Sequence, residues 1–363
     1  MEKDALLDVT IEPLTLPESL ESRDAADFLE VVRIGNEAWR RASGTDLHDD
    51  DPAEMLVRWR ETPYRVTHVV FARLDGRIVG AGRVEIDKTT RDSAEIDVVL
   101  VEEHEQGPVA EAVMAAAEAL AHENGRTVLQ AWTIHRPDPV EHRLVPPTGA
   151  GWIPEDDPTT RLMRGAGFRL GQVERNSVFE LNGSYEAVDR MLEKALAAAG
   201  PDYRPVWWAG PTPPEYADGY AAAIARMYTD VPVGDMVSEE ASWDAGRVFE
   251  RDGRFAESGT LIGVTLVIHE PTGTVAAFNE LTIGADRSRP TAQWGTLVLP
   301  EHRGHRLGAI VKCIGLKRWH ERVPESPRVS TFNAEENRYM LDVNEAVGFV
   351  PASYAGAWEK KLS

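Results

Sequence analysis

Residues 297–308 contain the groups best suited to binding a charged ligand. They read Leu-Val-Leu-Pro-Glu-His-Arg-Gly-His-Arg-Leu-Gly, an apolar strand followed by a turn rich in arginine and glycine and then by a helix. Free backbone N–H groups at a helix N-terminus bind anions such as pyrophosphate, and Arg303 and Arg306 would add charge-assisted hydrogen bonds. Gly304 and Gly308 let the backbone approach a ligand closely. This stretch therefore predicts an anion site.

A second set of polar residues lies on a helix near the end of the chain. Asn337 and Asn344 fall on the same face of this helix as the apolar residues Met340, Leu341 and Val347. An asparagine on an apolar face is costly to bury unless it is hydrogen-bonded. Local backbone bonding would explain Asn337 at the helix start, whereas a polar ligand better explains Asn344. Asn333, with Glu336, is predicted to cap the helix, and Gly348 to end it.

Glu280 is the carboxylate inside the otherwise apolar strand Phe-Asn-Glu-Leu-Thr. A buried carboxylate at such a position suits a general base. The alternative is a glutamate that faces solvent from an alternating strand. The sequence leaves both interpretations open.

These candidates must be positioned by elements that occur twice in the chain. Each half contains a β-hairpin, an apolar strand, a helix and a later Gly-Phe pair. The hairpin turns are predicted at Asp75-Gly76 and at 271–273, and the buried strands at 94–101 and 292–299. The helix after the anion turn has an apolar stripe at i, i+3, i+4 and i+7, formed by Leu307, Ile310, Val311 and Ile314. Helices before and after the strands predict a mixed α/β fold with helices on both faces of each sheet.

The anion turn and the asparagine helix resemble motifs A and B of the GNAT acyltransferase superfamily. Arg303 matches the first position of the pattern Gln/Arg-x-x-Gly-x-Gly/Ala and Gly308 the last, while Arg306 replaces the middle glycine. The resemblance covers most of residues 215–363. It implies an N-acetyltransferase fold and acetyl-CoA as the acyl donor.

The resemblance also implies roles for individual residues. Glu280 would be the general base, and a backbone N–H of Leu297 or Val298 would hold the thioester carbonyl. The remaining coenzyme contacts would come from Val298, Leu299, Arg303, Gly304, His305, Arg306, Leu307, Gly308, Asn337 and Asn344. Asn344 stands where the family often has a tyrosine that acts as general acid. That role is left open between Tyr354, Tyr339 and water.

The repeat predicts two tandem GNAT-like domains, at 1–182 and 215–363, joined by a helix and a Pro-rich connection at 183–214. In the first domain the corresponding turn reads Val-Glu-Glu-His-Glu-Gln-Gly-Pro-Val from residue 101, and its three glutamates would repel a pyrophosphate. Arg83 falls near the position of Glu280. We therefore expect a degenerate first domain without a coenzyme site. The insertion at about 133–158 is either a lid or a structural loop.

Composition sets limits on the partners. The 363 residues carry a formal charge of −21 and a single cysteine, Cys313. This charge argues against nucleic acid and anionic membranes as partners and is compatible with a small-molecule amine as acceptor, although it also serves solubility alone. No metal site is expected. The acidic start of the chain has no apolar core like that of a secretory signal, so we expect a cytoplasmic protein, either a monomer or a homodimer.

Three hypotheses follow for the function. The first is a tandem acetyltransferase with one active site in the second half, where Trp207, Trp208 and Trp243 are candidates to line the acceptor pocket. The second is a non-catalytic acyl-CoA-binding or regulatory protein. The third is a purely structural tandem domain.

Overall fold

The computed structural model describes residues 9–362 and divides them into two compact units. Unit 1 comprises residues 9–173, 235–237 and 354–362, and unit 2 comprises residues 174–234 and 238–353. Unit 1 thus includes residues 354–362 from the second half of the sequence. Unit 2 includes residues 174–182, which precede the predicted connection at 183–214. The acidic start, residues 1–8, on which the signal-sequence prediction rests, lies outside the described residues.

The elements follow one another in the order predicted for two repeats. The strands are β1 (Val9–Pro13), β2 (Arg65–Leu74), β3 (Arg77–Asp87), β4 (Ser93–Leu100), β5 (Val128–His135), β6 (Arg143–Leu144), β7 (Ile153–Pro154), β8 (Arg169–Glu180), β9 (Tyr203–Ala209), β10 (Leu261–His269), β11 (Thr274–Ile283), β12 (Thr291–Val298), β13 (Arg328–Ala334) and β14 (Val350–Lys361). The helices are α1 (Ala25–Ser43), α2 (Pro52–Trp59), α3 (Pro108–Glu123), α4 (Pro158–Gly165), α5 (Glu186–Ala199), α6 (Pro214–Ala225), α7 (Met227–Asp230), α8 (Ala245–Glu257), α9 (Leu307–Arg322) and α10 (Arg338–Val347).

Unit 1 is built on a sheet with the strand order β1-β2-β3-β4-β5-β14, in which only β4 and β5 run parallel. The β2–β3 hairpin turns at Asp75 and Gly76, both with positive φ, as predicted for an Asp-Gly turn. Adjacent strand residues point to opposite faces, so Phe71 packs with α1 and α2 while Ala72 packs with α3. Helices therefore cover both faces of the sheet, as predicted.

Unit 2 has the strand order β8-β13-β12-β11-β10-β9, with β12 and β13 as its parallel pair. Phe278 on one face packs with α6 and α8, and Ala277 on the other face packs with α9. Cys313 is buried among the apolar residues between α9 and the sheet. The mixed α/β class and the two-faced helix covering are thus the same in both units.

Three segments differ in detail from the sequence expectations. The segment 183–214 contains α5, as predicted, and also strand β9, which pairs with β10 over seven residues. The insertion after β5 contains a small hairpin of β6 and β7. The prediction that Asn333 caps α10 is wrong: Asn333 is still in β13, and Asn337 is the N-cap, its side chain accepting from the Met340 N–H. The strand continues because its backbone pairs with β8 as far as Ala334.

None of the helices in residues 9–362 combines the length and the apolar character needed to span a bilayer. The same residues contain no group of three or more histidine, cysteine, aspartate or glutamate side chains placed to hold a metal ion.

Candidate functional site

Strands β11 and β12 of unit 2 do not pair in one continuous register. Asn279 lies opposite Thr296, but Leu281 lies opposite Gln293. Two residues of β12, Trp294 and Gly295, therefore face the single residue between Asn279 and Leu281, which is Glu280. This is a β-bulge, a feature that leaves backbone groups unpaired and redirects side chains.

The bulge lies where β12 separates from its parallel neighbour. The pairing of β12 with β13 is confined to residues 291–293 and 329–331, and it ends at the rung Gln293–Thr331. Both strands continue, to Val298 and Ala334, without pairing with each other. A cleft therefore opens between two strand edges, and its closed end is the Gln293–Thr331 rung. Unpaired strand edges can hydrogen-bond an extended ligand.

Glu280 is buried in a network of charged and polar groups. The Tyr220 hydroxyl donates to Oε1 of Glu280, and Arg251 Nη1 lies 2.8 Å from the same oxygen. Arg251 Nη2 also donates to the Tyr220 oxygen at 2.9 Å. Glu280 is only 5% exposed, which excludes the solvent-facing interpretation. Burial raises the pKa of Tyr220 well above its ordinary value, so Tyr220 stays protonated and can act as a hydrogen-bond donor to the carboxylate.

Tyr220 and Arg251 were missed as site residues in the sequence. Tyr220 gives no polar signal, because it lies among the buried apolar residues of α6. Arg251 did carry a usable signal, because it occupies the i+3 position between Val248 and Phe255 on the strongly amphipathic helix α8. Its guanidinium lies 5.4 Å from the Trp243 ring.

The three candidate tryptophans separate into two groups. Trp243 stacks on Arg247 and Arg251, and Trp208 meets the Tyr220 ring edge-on at 5.8 Å. Trp207 points to the other face of the sheet, towards the region of Trp319. Trp208 and Trp243 therefore surround the Glu280 network, and Trp207 does not.

The predicted anion turn lies between the end of β12 and the start of α9. It contains a short 3₁₀ turn, Pro300–His302, followed by the exposed residues 303–306, so the N-terminus of α9 is accessible. Gly304 has φ of 89° and Arg306 φ of 58°. A non-glycine residue in this left-handed region costs about 1–2 kcal/mol. The arginine at 306 thus has a structural cost, because the backbone has the shape that a glycine would adopt freely.

Hydrogen bonds within the protein already occupy several of the groups at this turn that were predicted to contact the coenzyme. Arg303 folds back, with Nε 3.3 Å from the Val298 carbonyl oxygen and Nη2 3.3 Å from that of Asp230. The Leu299 N–H donates to the Ala276 carbonyl at 3.0 Å. Leu297 is buried. The anion site that remains open consists of the backbone at 304–308 and the Arg306 side chain.

Three histidines surround Tyr203 beside this turn. The Tyr203 hydroxyl lies 3.1 Å from His302 Nδ1, and the rings of His269 and His305 lie 5.2 and 4.9 Å from the Tyr203 ring. The pKa of His302 is lowered by burial and by the neighbouring imidazoles. His302 is therefore a buried residue in which the neutral form is favoured.

Asn337 and Asn344 both have partners within unit 2. Asn337 caps α10. Asn344 is fully buried and donates through Nδ2 to Asn333 Oδ1 at 2.7 Å, which links α10 to β13. Gly348 ends the helix with φ of 110°, as predicted.

A buried lysine was also missed. Lys312 is completely buried on α9, and its Nζ donates to Gln293 Oε1 at 2.9 Å and lies 4.8 Å from the Phe349 ring. Gln293 in turn donates to Thr331 Oγ1 at 2.9 Å. Burial lowers the pKa of Lys312 to about 7. The sequence signal is a charged residue inside an apolar stretch of a helix.

Unit 1 has the same splay between its parallel strands, without the bulge. Pairing of β4 with β5 ends at Glu95–Gln130, whereas β3 and β4 keep one register throughout. Arg83 faces Asp97 at 3.5 Å, in a cluster with Glu85 and Glu95. A cavity of about 50 Å³ lies between β4 and β5.

Comparisons with known proteins identify this architecture. A tandem GNAT protein from the clavulanic acid biosynthesis pathway, solved without AcCoA, superposes with a TM-score of 0.69 at 22% identity, covering 98% of both chains. A GCN5-related N-acetyltransferase from Sphaerobacter thermophilus superposes at 0.58 with 13% identity, covering 97% of this chain and 95% of its own. The chain has the tandem GNAT fold. No protein-family model and no curated protein sequence matches it.

The tandem GNAT fold confirms the predicted fold class. Of the two tyrosines considered as general acid, Tyr339 is 59% exposed on α10. Tyr354 belongs to unit 1, where it stacks on Trp152.

Proposed function

We propose that the chain is an acyl-CoA-dependent N-acyltransferase with one active site, in unit 2, that acylates a primary amine of a small molecule. The observation that carries this proposal is the placement of Glu280. The carboxylate lies opposite a bulge, at the point where β12 leaves β13, on the strand pair that leads into the anion turn. The GNAT fold supports acyl transfer in general.

The groups present in unit 2 fit a CoA thioester such as acetyl-CoA. The N-terminus of α9, the glycines of the turn and Arg306 suit a pyrophosphate. The edge of β12 beyond Gln293 does not pair with β13 and suits the amide groups of a pantetheine arm, although Arg303 already contacts the Val298 carbonyl. When bound, the thioester supplies an activated acyl carbon.

Glu280 would accept the proton of the acceptor amine. Its Oε1 is occupied by Tyr220 and Arg251, which leaves Oε2, the oxygen directed towards Gly295 of the bulge. As the amine nitrogen forms the C–N bond, the C–S bond breaks and the amine proton passes to Glu280. The sulfur takes a proton from water, and the proton that Glu280 then releases neutralises the hydroxide. Tyr220 and Arg251 hold the carboxylate in one orientation, which such proton transfer requires.

The acceptor class rests on charge. A formal charge of −21 attracts cationic ligands, so amines are the expected acceptors. Trp208 and Trp243, beside the Glu280 network, are available to contact the carbon skeleton of an amine.

The test is release of free thiol from acetyl-CoA in the presence of a panel of amines. We expect turnover with at least one amine, and a loss of about 10²–10⁴-fold in Glu280→Gln, the usual contribution of a general base. Calorimetric binding of acetyl-CoA should not change in this variant. The matched control is Glu95→Gln, which removes a glutamate that lies beside Arg83 in unit 1 and should leave turnover unchanged.

Other outcomes identify the alternatives. Binding of acetyl-CoA without thiol release from any amine would indicate a non-catalytic acyl-CoA-binding protein. Absence of binding would rule out both functions.

A further inference from the structure

The cleft of unit 2 closes on a chain of polar side chains. Thr331 accepts from Gln293, and Gln293 accepts from Lys312, each at 2.9 Å. Gln293 and Thr331 form the last paired rung before the strands separate. The amine of Lys312 is therefore one hydrogen bond from a residue of the rung that ends the cleft.

The residue of unit 1 that corresponds to Lys312 shows which way a side chain at this helix position points. Positions 198 residues apart correspond along the strand and helix: Leu100 and Val298 end β4 and β12, and Glu95 and Gln293 form the last parallel rungs. The same offset relates Lys312 to Met114 on the helices, where Ala117 packs on Gly82 of β3 and Gly315 on Asn279 of β11. Met114 lines the cavity between β4 and β5. The side chain at this helix position is therefore directed at the space between the parallel strands.

Lys312 is poorly compensated for a buried amine. Within the described residues, no carboxylate lies at ion-pair distance from Nζ, whose polar contacts are Gln293 and the face of Phe349. An ammonium group has three donors, and burying it without an anion is costly. Unit 1 avoids this cost with Met114. In unit 2, a ligand that carries negative charge into the cleft would offset the cost of burying the Lys312 ammonium.

We propose that the closed end of this cleft receives an acyl chain that ends in a carboxylate, with Lys312 as the partner of that carboxylate. The donor would then be the CoA thioester of a dicarboxylic acid. This inference rests on the proposed function, because the anion turn at 303–308 sets the direction of the ligand. A thioester bound with its phosphates at this turn directs its acyl group along β12 from Val298 towards Gln293.

The experiment compares three thioesters by calorimetry with the full chain: acetyl-CoA, butyryl-CoA and succinyl-CoA. Butyryl and succinyl groups have the same number of carbons, so their difference isolates the terminal carboxylate. We expect succinyl-CoA to bind at least about tenfold more tightly than butyryl-CoA, equivalent to about 1.4 kcal/mol. In Lys312→Met, which copies Met114, this preference should disappear while acetyl-CoA binding is kept.

Equal binding of succinyl-CoA and butyryl-CoA by the natural chain would overturn the inference and leave the acyltransferase proposal intact. A preference that survives in Lys312→Met would also overturn it. If none of the three thioesters binds, the proposed function fails and the inference fails with it. Should Lys312→Met not fold, the succinyl–butyryl comparison in the natural chain still decides.

Discussion

The strand pairs β3–β4 and β11–β12 occupy corresponding places in the two units but differ in register. In unit 1 the pairing is regular, and Arg83 meets Asp97 directly across the strands. In unit 2 the bulge at Trp294 and Gly295 removes any such partner from Glu280, which instead bonds to residues of two helices. The regular pairing of β3 with β4 thus lets Asp97 neutralise the charge of Arg83 within the sheet. The bulged pair leaves Oε2 of Glu280 directed towards Gly295.

The turns that follow β4 and β12 also differ in charge: the turn of unit 1 is acidic and the turn of unit 2 is basic. The carbonyl of Leu100 accepts from Arg41, and that of Val298 accepts from Arg303, so both strand ends are bound by an arginine. In unit 1 that arginine is also paired with Glu105. The arginine contact is common to both units, whereas the turn beside it carries glutamates in unit 1 and Arg306 in unit 2.

The largest effect is expected from Arg251→Met. This change leaves Glu280 buried without its cation, and breaking a buried ion pair on one side costs about 3–5 kcal/mol. Chemical denaturation should show this loss in the free energy of unfolding. The double variant with Glu280→Gln should recover part of it, because neither charge remains. A loss below 1 kcal/mol, or no recovery, would contradict the network described for unit 2.

Lys312→Met makes unit 2 resemble unit 1 and should have a pH-dependent effect. The pKa of Lys312 is lowered from 10.5 to about 7 in the folded chain. Between these values the unfolded chain binds more protons, so the natural protein gains stability with rising pH, by up to about 1.4 kcal/mol per pH unit. The stabilisation by Lys312→Met should therefore be greatest at pH 7 and shrink towards pH 10. Lys317→Met, on the exposed side of α9, is the control. A constant difference over this range would refute the assignment.

Gly295→Ala tests the bulge itself. A Cβ at this position would lie 2.7 Å from Phe278 Cε2 and 3.1 Å from Glu280 Oε2. We expect a loss of about 1–3 kcal/mol from overpacking and a fall in turnover larger than any fall in acyl-CoA affinity. Gly35→Ala in α1, where a Cβ meets nothing within 4 Å, should stabilise by about 1 kcal/mol. Equal effects at the two glycines would show that the bulge has no special requirement for glycine.

The smallest effect is expected from Arg306→Gly. Relief of the left-handed backbone should raise the free energy of unfolding by about 1 kcal/mol, while loss of the guanidinium weakens acyl-CoA binding. Arg306→Ala removes the same charge but keeps the backbone strain, so only the stability gain should vanish. Asp75→Gly in unit 1 should gain less, because aspartate tolerates this conformation better. Calorimetry and thermal unfolding on the three variants separate the two contributions.

Features set by neighbouring residues were predictable from the sequence. The Asp75-Gly76 turn, the helix after the anion turn and the stop at Gly348 each depend on local conformation, and the structure confirms them. Arg251 was not predicted because its role depends on a contact with a residue 29 positions away. The bulge likewise has no local signature, since it is defined by the register between two strands.

The assignment of residues 354–362 to unit 1 has a consequence for synthesis. Strand β5 pairs with β14 along its whole length, from His135–Tyr354 to Val128–Lys361. During translation, β5 therefore presents an unpaired edge until β14 is synthesised, more than 200 residues later. Unpaired strand edges are prone to association with other chains. Unit 1 thus completes its sheet only after β14 has been synthesised.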